Sequence, residues 1–273
     1  MKVYISADIE GISGVVNSSH TSPKGHDYNR ARTLMTNEVN AAIRGAKAAG
    51  AKEILVNDSH GPMTNILIEE LEEDASLITG NQKLLGMMEG INESYDAVMF
   101  IGYHAKHNTP GVLAHSYYSI VISEIKINGE IVGEFEFNTM LAGHYGVPVV
   151  FVSGDNILAD QVKKFDSNIT ALSVKDALSR YTAKCIPPKK VHKLMEENIS
   201  TALKRKKSSV KPCEIKGEVE LEISFFNSGM AEIGLLIPGT RMIEANRLKY
   251  NAKDIIEAYK VRGALTTLAA STL

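Results

Sequence analysis

Apolar residues along the first half of the chain follow two alternating spacings. Short, nearly unbroken apolar runs at residues 2–7, 53–57 and 97–102 read as strands buried on both faces. Between the first two, Met35, Val39, Ala42, Ile43 and Ala46 recur at helical spacing, predicting a helix over 27–49 that Gly50 stops. Short helices are expected at 65–71 and 83–88, with a strand at 77–79 between them. Strands alternating with helices imply a parallel sheet whose right-handed crossovers bring the carboxyl ends of the strands to one edge.

The pattern changes after Pro110. Residues 116–127 look like an extended strand, and Asn128-Gly129 is a strong hairpin signal. Residues 134–145 return to helix, Gly146 ends it, and 148–152 form another buried strand. Further on, the pattern predicts a helix at 189–204, a strand at 218–226 and a last helix at 252–270, with Asn251 as its N-cap. The fold class is therefore α/β, a mostly parallel sheet with flanking helices, plus a smaller C-terminal α+β portion. Residues 1–175 are expected to form the metal-binding catalytic domain, and 176–273 the portion completing the fold. The sequence carries no internal repeat.

Composition narrows the function classes. Hydrophobic residues make up 44% and charged residues 23% of the 273, which suits a folded chain rather than a disordered one. A formal net charge of -2 gives no general affinity for nucleic acid, because phosphate neutralisation needs excess Lys and Arg. The basic run Lys204-Arg205-Lys206-Lys207 reads as a solvated helix end or linker. Cys185 and Cys213 form no metal-ligand pair and no disulfide framework, so a reduced, cytoplasmic protein is expected. No signal peptide and no run of membrane-spanning length is read, and no membrane partner is expected.

The candidate chemistry lies at the strand ends. Asp8 and Glu10 sit two apart after the first strand, so both side chains project from one face. Two such acids repel, and burial without a partner is costly, whereas a cation resolves the conflict. His60 and His104 end the second and fourth predicted strands, and a parallel sheet would bring them to the same crevice. Imidazole and carboxylate together suit zinc, and also manganese or cobalt. Glu134 follows Gly133 at a helix start, where the dipole also favours an acid. His115 lies beyond the Asn108-Thr109-Pro110-Gly111 turn, which can fold it back over the crevice. His107 is close enough to His104 to be a neighbour. No dinucleotide fingerprint, P-loop or nucleophile elbow is present.

Ser6-x-Asp8-x-Glu10-Gly11-Ile12-Ser13-Gly14 resembles the N-terminal signature of the zinc-dependent D-aminopeptidases associated with bacterial dipeptide-transport operons. The resemblance continues through Val56-Asn57-Asp58-Ser59-His60, Gly102-Tyr103-His104-Ala105, Thr109-Pro110-Gly111-Val112, His115-Ser116 and Val132-Gly133-Glu134. It extends to Gly154-Asp155, Val174-Lys175, Lys184-Cys185 and Pro238-Gly239-Thr240. It implies that Asp8 bridges two zinc ions, that Glu10 and His60 complete one ion's ligands, and that His104 and Glu134 complete the other's. It further implies that His115 is the catalytic side chain, as acid/base, oxyanion stabiliser or nucleophile. Short peptides or amino-acid amides would be the substrates, their amine meeting a metal or an acid such as Asp58. The resemblance also implies a homo-oligomer, a ring-like decamer. A metal-dependent amidase or esterase without D preference, and a non-catalytic ligand-binding protein, are the alternative readings of the same crevice.

Overall fold

The computed structural model describes residues 1–205 and 209–273. The chain begins with β1 (Lys2–Ala7), α1 (Ser18–Thr21), α2 (Tyr28–Ala48), β2 (Glu53–Asp58), β3 (Ser76–Ile78) and β4 (Ala97–Ile101). A hairpin, β5 (Ile122–Ile127) and β6 (Glu130–Val132), leads into α3 (Glu134–His144). Next come β7 (Val149–Asp155), α4 (Asn156–Phe165), β8 (Thr170–Ser179), β9 (Thr182–Cys185) and α5 (Pro188–Lys204). The chain closes with β10 (Val219–Phe225), α6 (Ser228–Gly234), β11 (Arg241–Glu244), β12 (Arg247–Ala252) and α7 (Ile255–Ala270).

The expected α/β architecture is present. The larger sheet has seven strands in the order β3-β2-β1-β4-β7-β8-β9, parallel except for β9 at one edge. Its central strands exclude water: Val3 to Ala7 of β1 and every residue of β4 are buried. β1 lies between β2 and β4, so strand order reverses there, and loops leave β1 and β4 in opposite directions. A crevice opens at the carboxyl ends of strands at such a reversal. The second sheet, β11-β12-β10-β5-β6, is antiparallel and takes strands from the middle and the end of the chain.

Some local expectations are corrected. The helices expected at 65–71 and 83–88 are single 3-10 turns, Ile68–Glu70 and Gly86–Met88. Asn65 is drawn out of helix by the Asp58 carboxylate, which accepts from its backbone and side-chain nitrogens. The strand expected from 116 begins only at Ile122, because Tyr117 adopts φ 58° in a turn. Asn251 does not cap the last helix. As part of β12 it pairs with Glu220 of β10, and Asp254 caps α7 by accepting from the Glu257 amide at 2.8 Å. Of the basic run, Lys206 and Lys207 lie outside the described residues. Among the described residues, no helix is long and apolar enough to cross a membrane.

Candidate metal centre

The turn after β1 is pressed against the turn after β4. The Asp8 amide donates to the Ile101 carbonyl at 2.8 Å, and the Gly11 amide to Gly102 at 2.7 Å. A Cβ on Gly11 would lie 1.9 Å from the Tyr103 carbonyl oxygen, and one on Gly102 would lie 2.2 Å from that of Asp8. Gly102 also has φ +70°. Only glycine fits either place, and the contact brings Asp8 and Glu10 to His104. From β8, the buried Lys175 ammonium donates to the carbonyls of Glu10 (2.5 Å), Ile12 (3.0 Å) and Val15 (2.6 Å), gathering the same turn.

Both histidines have one ring nitrogen committed to the backbone. His60 Nε2 donates to the Thr21 carbonyl at 2.7 Å, and His104 Nδ1 to the Ala105 carbonyl at 3.0 Å. A carbonyl accepts only, so in the neutral rings the opposite nitrogen carries a lone pair. Those lone pairs face carboxylates. His60 Nδ1 is 3.3 Å from Asp8 Oδ1 and 3.0 Å from Glu10 Oε2. His104 Nε2 is 3.5 Å from Asp8 Oδ2 and 3.2 Å from Glu134 Oε2. Asp8 therefore turns one oxygen to each histidine. Glu10 Oε2 and His104 Nε2 are buried without a hydrogen-bond partner.

Acceptors facing acceptors in a buried site need a proton or a cation between them. With protons alone, burial opposes charge on His60, but the Glu10 and Asp8 carboxylates raise it well above its ordinary value. His104, likewise buried, is raised to about 10 by Glu134 and Asp8. Burial and the neighbouring Glu10 push Asp8 up to about 8. Despite burial, His60 holds Glu10 well below the carboxylate range, and His104 lowers Glu134. One ligand atom from each of Asp8, Glu10 and His104 falls within a 4.8 Å group, and so does one from each of His104, His115 and Glu134. The donor set, with its orphaned buried atoms, fits divalent cations of the zinc type.

His115 does fold back over the crevice. Its ring stacks on His104, with centroids 4.0 Å apart and planes 11° apart. Its Nδ1 donates to the Leu113 carbonyl at 2.9 Å, leaving Nε2 3.9 Å from Glu134 Oε1. Burial and the adjacent His104 lower its pKa. Glu134, first residue of α3, also accepts from the Tyr117 amide, which fixes its second oxygen. The crevice has a volume of about 740 Å³, and Asp8, Glu10, His60, His115 and Glu134 all line it.

Two expected neighbours are elsewhere. Asp58 is buried, and both its oxygens accept from Asn65 and Ile66, so it is not free to meet a substrate amine. His107 lies against Phe226, along a separate cavity. Sequence patterning alone assigned no role to the support beneath the centre. Ser6 Oγ meets Ser59 Oγ (2.8 Å) and Tyr103 OH (2.7 Å), and Asn138 donates to Tyr103 OH (2.8 Å). The Ser within the otherwise largely apolar β1 was the available signal; Lys175 lies among polar residues of β8 and carried none.

Three comparisons show what the chain is similar to. A family model described as D-aminopeptidase matches residues 1–264. A D-aminopeptidase of Bacillus subtilis (strain 168) is 38% identical over 273 residues, covering 100% of this chain and 99% of the relative. A solved structure, described as the Zn-dependent D-aminopeptidase DppA from Bacillus subtilis, a self-compartmentalizing protease, superposes with TM-score 0.96. That match has 38% identity and covers 99% of this chain and 98% of the other.

Proposed function

The chain belongs to the D-aminopeptidase family, and from that premise we propose that Asp8, Glu10, His60, His104 and Glu134 hold two zinc ions for the hydrolysis of short peptides at an N-terminal D-residue. The observation that carries the metal assignment is the pair of histidine lone pairs, His60 Nδ1 and His104 Nε2, aimed at opposite oxygens of Asp8. In this reading Asp8 would be shared by the two ions, Glu10 and His60 would help hold one, and His104 and Glu134 the other. Such a pair of ions supplies Lewis-acid activation of a water and of the scissile carbonyl near neutral pH.

The chain's own residues do the rest. The backbone bonds to Thr21 and Ala105 fix the ring orientations of His60 and His104, as distal acceptors do at metal-ligating histidines. His115, neutral and oriented by Leu113, presents Nε2 to the crevice. There it takes up a proton during attack and returns it to the leaving amine. Asp58, with both oxygens taken, is not available to the substrate amine, which meets the metal centre instead. A ring-like homodecamer in the cytoplasm fits this reading, since the structural relative is described as self-compartmentalizing.

The test is a stereoisomeric pair. With zinc present, D-Ala-D-Ala is hydrolysed at least 100-fold faster than L-Ala-L-Ala; equal rates would remove the D-aminopeptidase reading.

A further inference from the structure

One strongly charged side chain in the crevice is used by none of this chemistry. Arg262, on α7, lines the same crevice as Asp8, Glu10, His60, His115 and Glu134. It is only 8% exposed. Its guanidinium carbon lies 3.6 Å from the Tyr117 ring centroid and 4.5 Å from that of Tyr259. Its Nε is buried with no hydrogen-bond partner, and among the described residues Arg262 forms no ion pair.

That arrangement is incomplete by itself. A nearly buried cation without an anion carries a large desolvation penalty. Two aromatic faces fix the plane of the guanidinium and attract its charge, but they satisfy none of its in-plane N–H donors. What remains is a rigid, planar fork of donors, the geometry that matches a carboxylate with two parallel hydrogen bonds. The fork is also tied to the metal centre. Tyr117, whose ring lies beneath it, donates its amide to Glu134.

We propose that Arg262 binds the C-terminal carboxylate of a short peptide whose N-terminal residue is held at the Asp8–Glu134 centre. Arg262 is then a specificity-determining residue that selects very short peptides with a free carboxylate over amides and longer chains. This inference rests on the aminopeptidase reading above. It adds the other end of the substrate: metals at the amino end, and a stacked arginine at the carboxyl end.

The test compares D-Ala-D-Ala with its C-terminal amide in the wild-type protein, Arg262→Gln and Arg262→Lys. Removing a charge-assisted, bidentate contact should raise KM for the acid and lower the acid-to-amide ratio of kcat/KM about 100-fold in Arg262→Gln. Arg262→Lys, which keeps the charge but loses the fork, should fall between the two. Measurable amide hydrolysis by each variant shows that it is folded and loaded. If acid and amide decline by the same factor, Arg262 is a packing residue and the proposal is overturned. If the wild-type protein hydrolyses neither compound, the aminopeptidase reading fails separately. Calorimetric titration of D-Ala-D-Ala and its amide then decides the carboxylate site. A tenfold or greater loss of affinity for the acid alone in Arg262→Gln supports it, and equal affinities overturn it.

Discussion

The imidazole of His115 stacks on that of His104 with 4.0 Å between ring centroids, yet only His104 presents a lone pair toward Asp8. Burial, with a positive charge at His104 from a proton or a bound cation, lowers the pKa of His115 and keeps that ring neutral. In the proposed site His104 is the ligand and His115 the proton carrier. His115→Ala should therefore keep its metal and lower kcat about 10³-fold, the scale of lost acid–base assistance. Metal content by elemental analysis, measured on the same sample as kcat, checks it. Near-normal turnover in the variant would contradict the role.

The turn that carries Glu10 has its own anchor. Lys175→Met would leave the carbonyls of Glu10 and Val15 without a donor and that of Ile12 with only the Val15 amide. Unpaired buried acceptors cost about 1–3 kcal/mol each, reduced where water enters, so a loss of about 3 kcal/mol is expected. Because the same turn presents the Glu10 carboxylate, zinc affinity should fall as well. Thermal unfolding with and without zinc reads both effects, and an unchanged melting temperature together with unchanged zinc affinity would show that Lys175 is dispensable.

Gly11 is predicted to be intolerant of even one added methyl group. The Cβ of alanine would sit 1.9 Å from a backbone oxygen that has no side chain to move aside. Gly11→Ala should destabilise by about 4 kcal/mol or more, at the upper end of single substitutions. A denaturation midpoint within experimental error of the parent would show that the two turns can separate cheaply.

A buried acid away from the metals should govern part of the pH dependence of stability. Burial pushes Glu38 up to about 7, although the Ser13 amide donates to its carboxylate. Between the ordinary glutamate value and pH 7, the folded state holds a proton that the unfolded state has released. The stability linked to that proton is present below about pH 4.5 and is lost as pH rises to about 7. Its size is about 3 kcal/mol. Glu38→Gln should remove this slope, so the two proteins' stabilities diverge across that window. Parallel curves for variant and parent would contradict it.

The sequence made some of this legible for clear reasons. β1, β2 and β4 are buried on both faces, so their apolar runs are nearly unbroken, and the residues ending them, Asp8, His60 and His104, fall at one edge. Glu134 and His115 needed either a three-dimensional fold or family resemblance, because they arrive from a helix start and a turn. Arg262 was illegible. It lies 252 positions after Glu10 in the numbering, and α7 carries no motif that marks a binding residue. The misplaced helix at 65–71 and the misplaced cap at Asn251 share a cause. In each case a tertiary partner, Asp58 for Asn65 and β10 for Asn251, outweighed a local preference.

The five residues around Asp8 are proposed to bind two metal ions rather than two protons. Elemental analysis of freshly purified protein, followed by chelation and stepwise zinc return, tests it most directly. About two ions per chain are expected, with thermal stability and turnover lost on chelation and recovered together as the second equivalent binds. Full activity with fewer than about one ion per chain would contradict it.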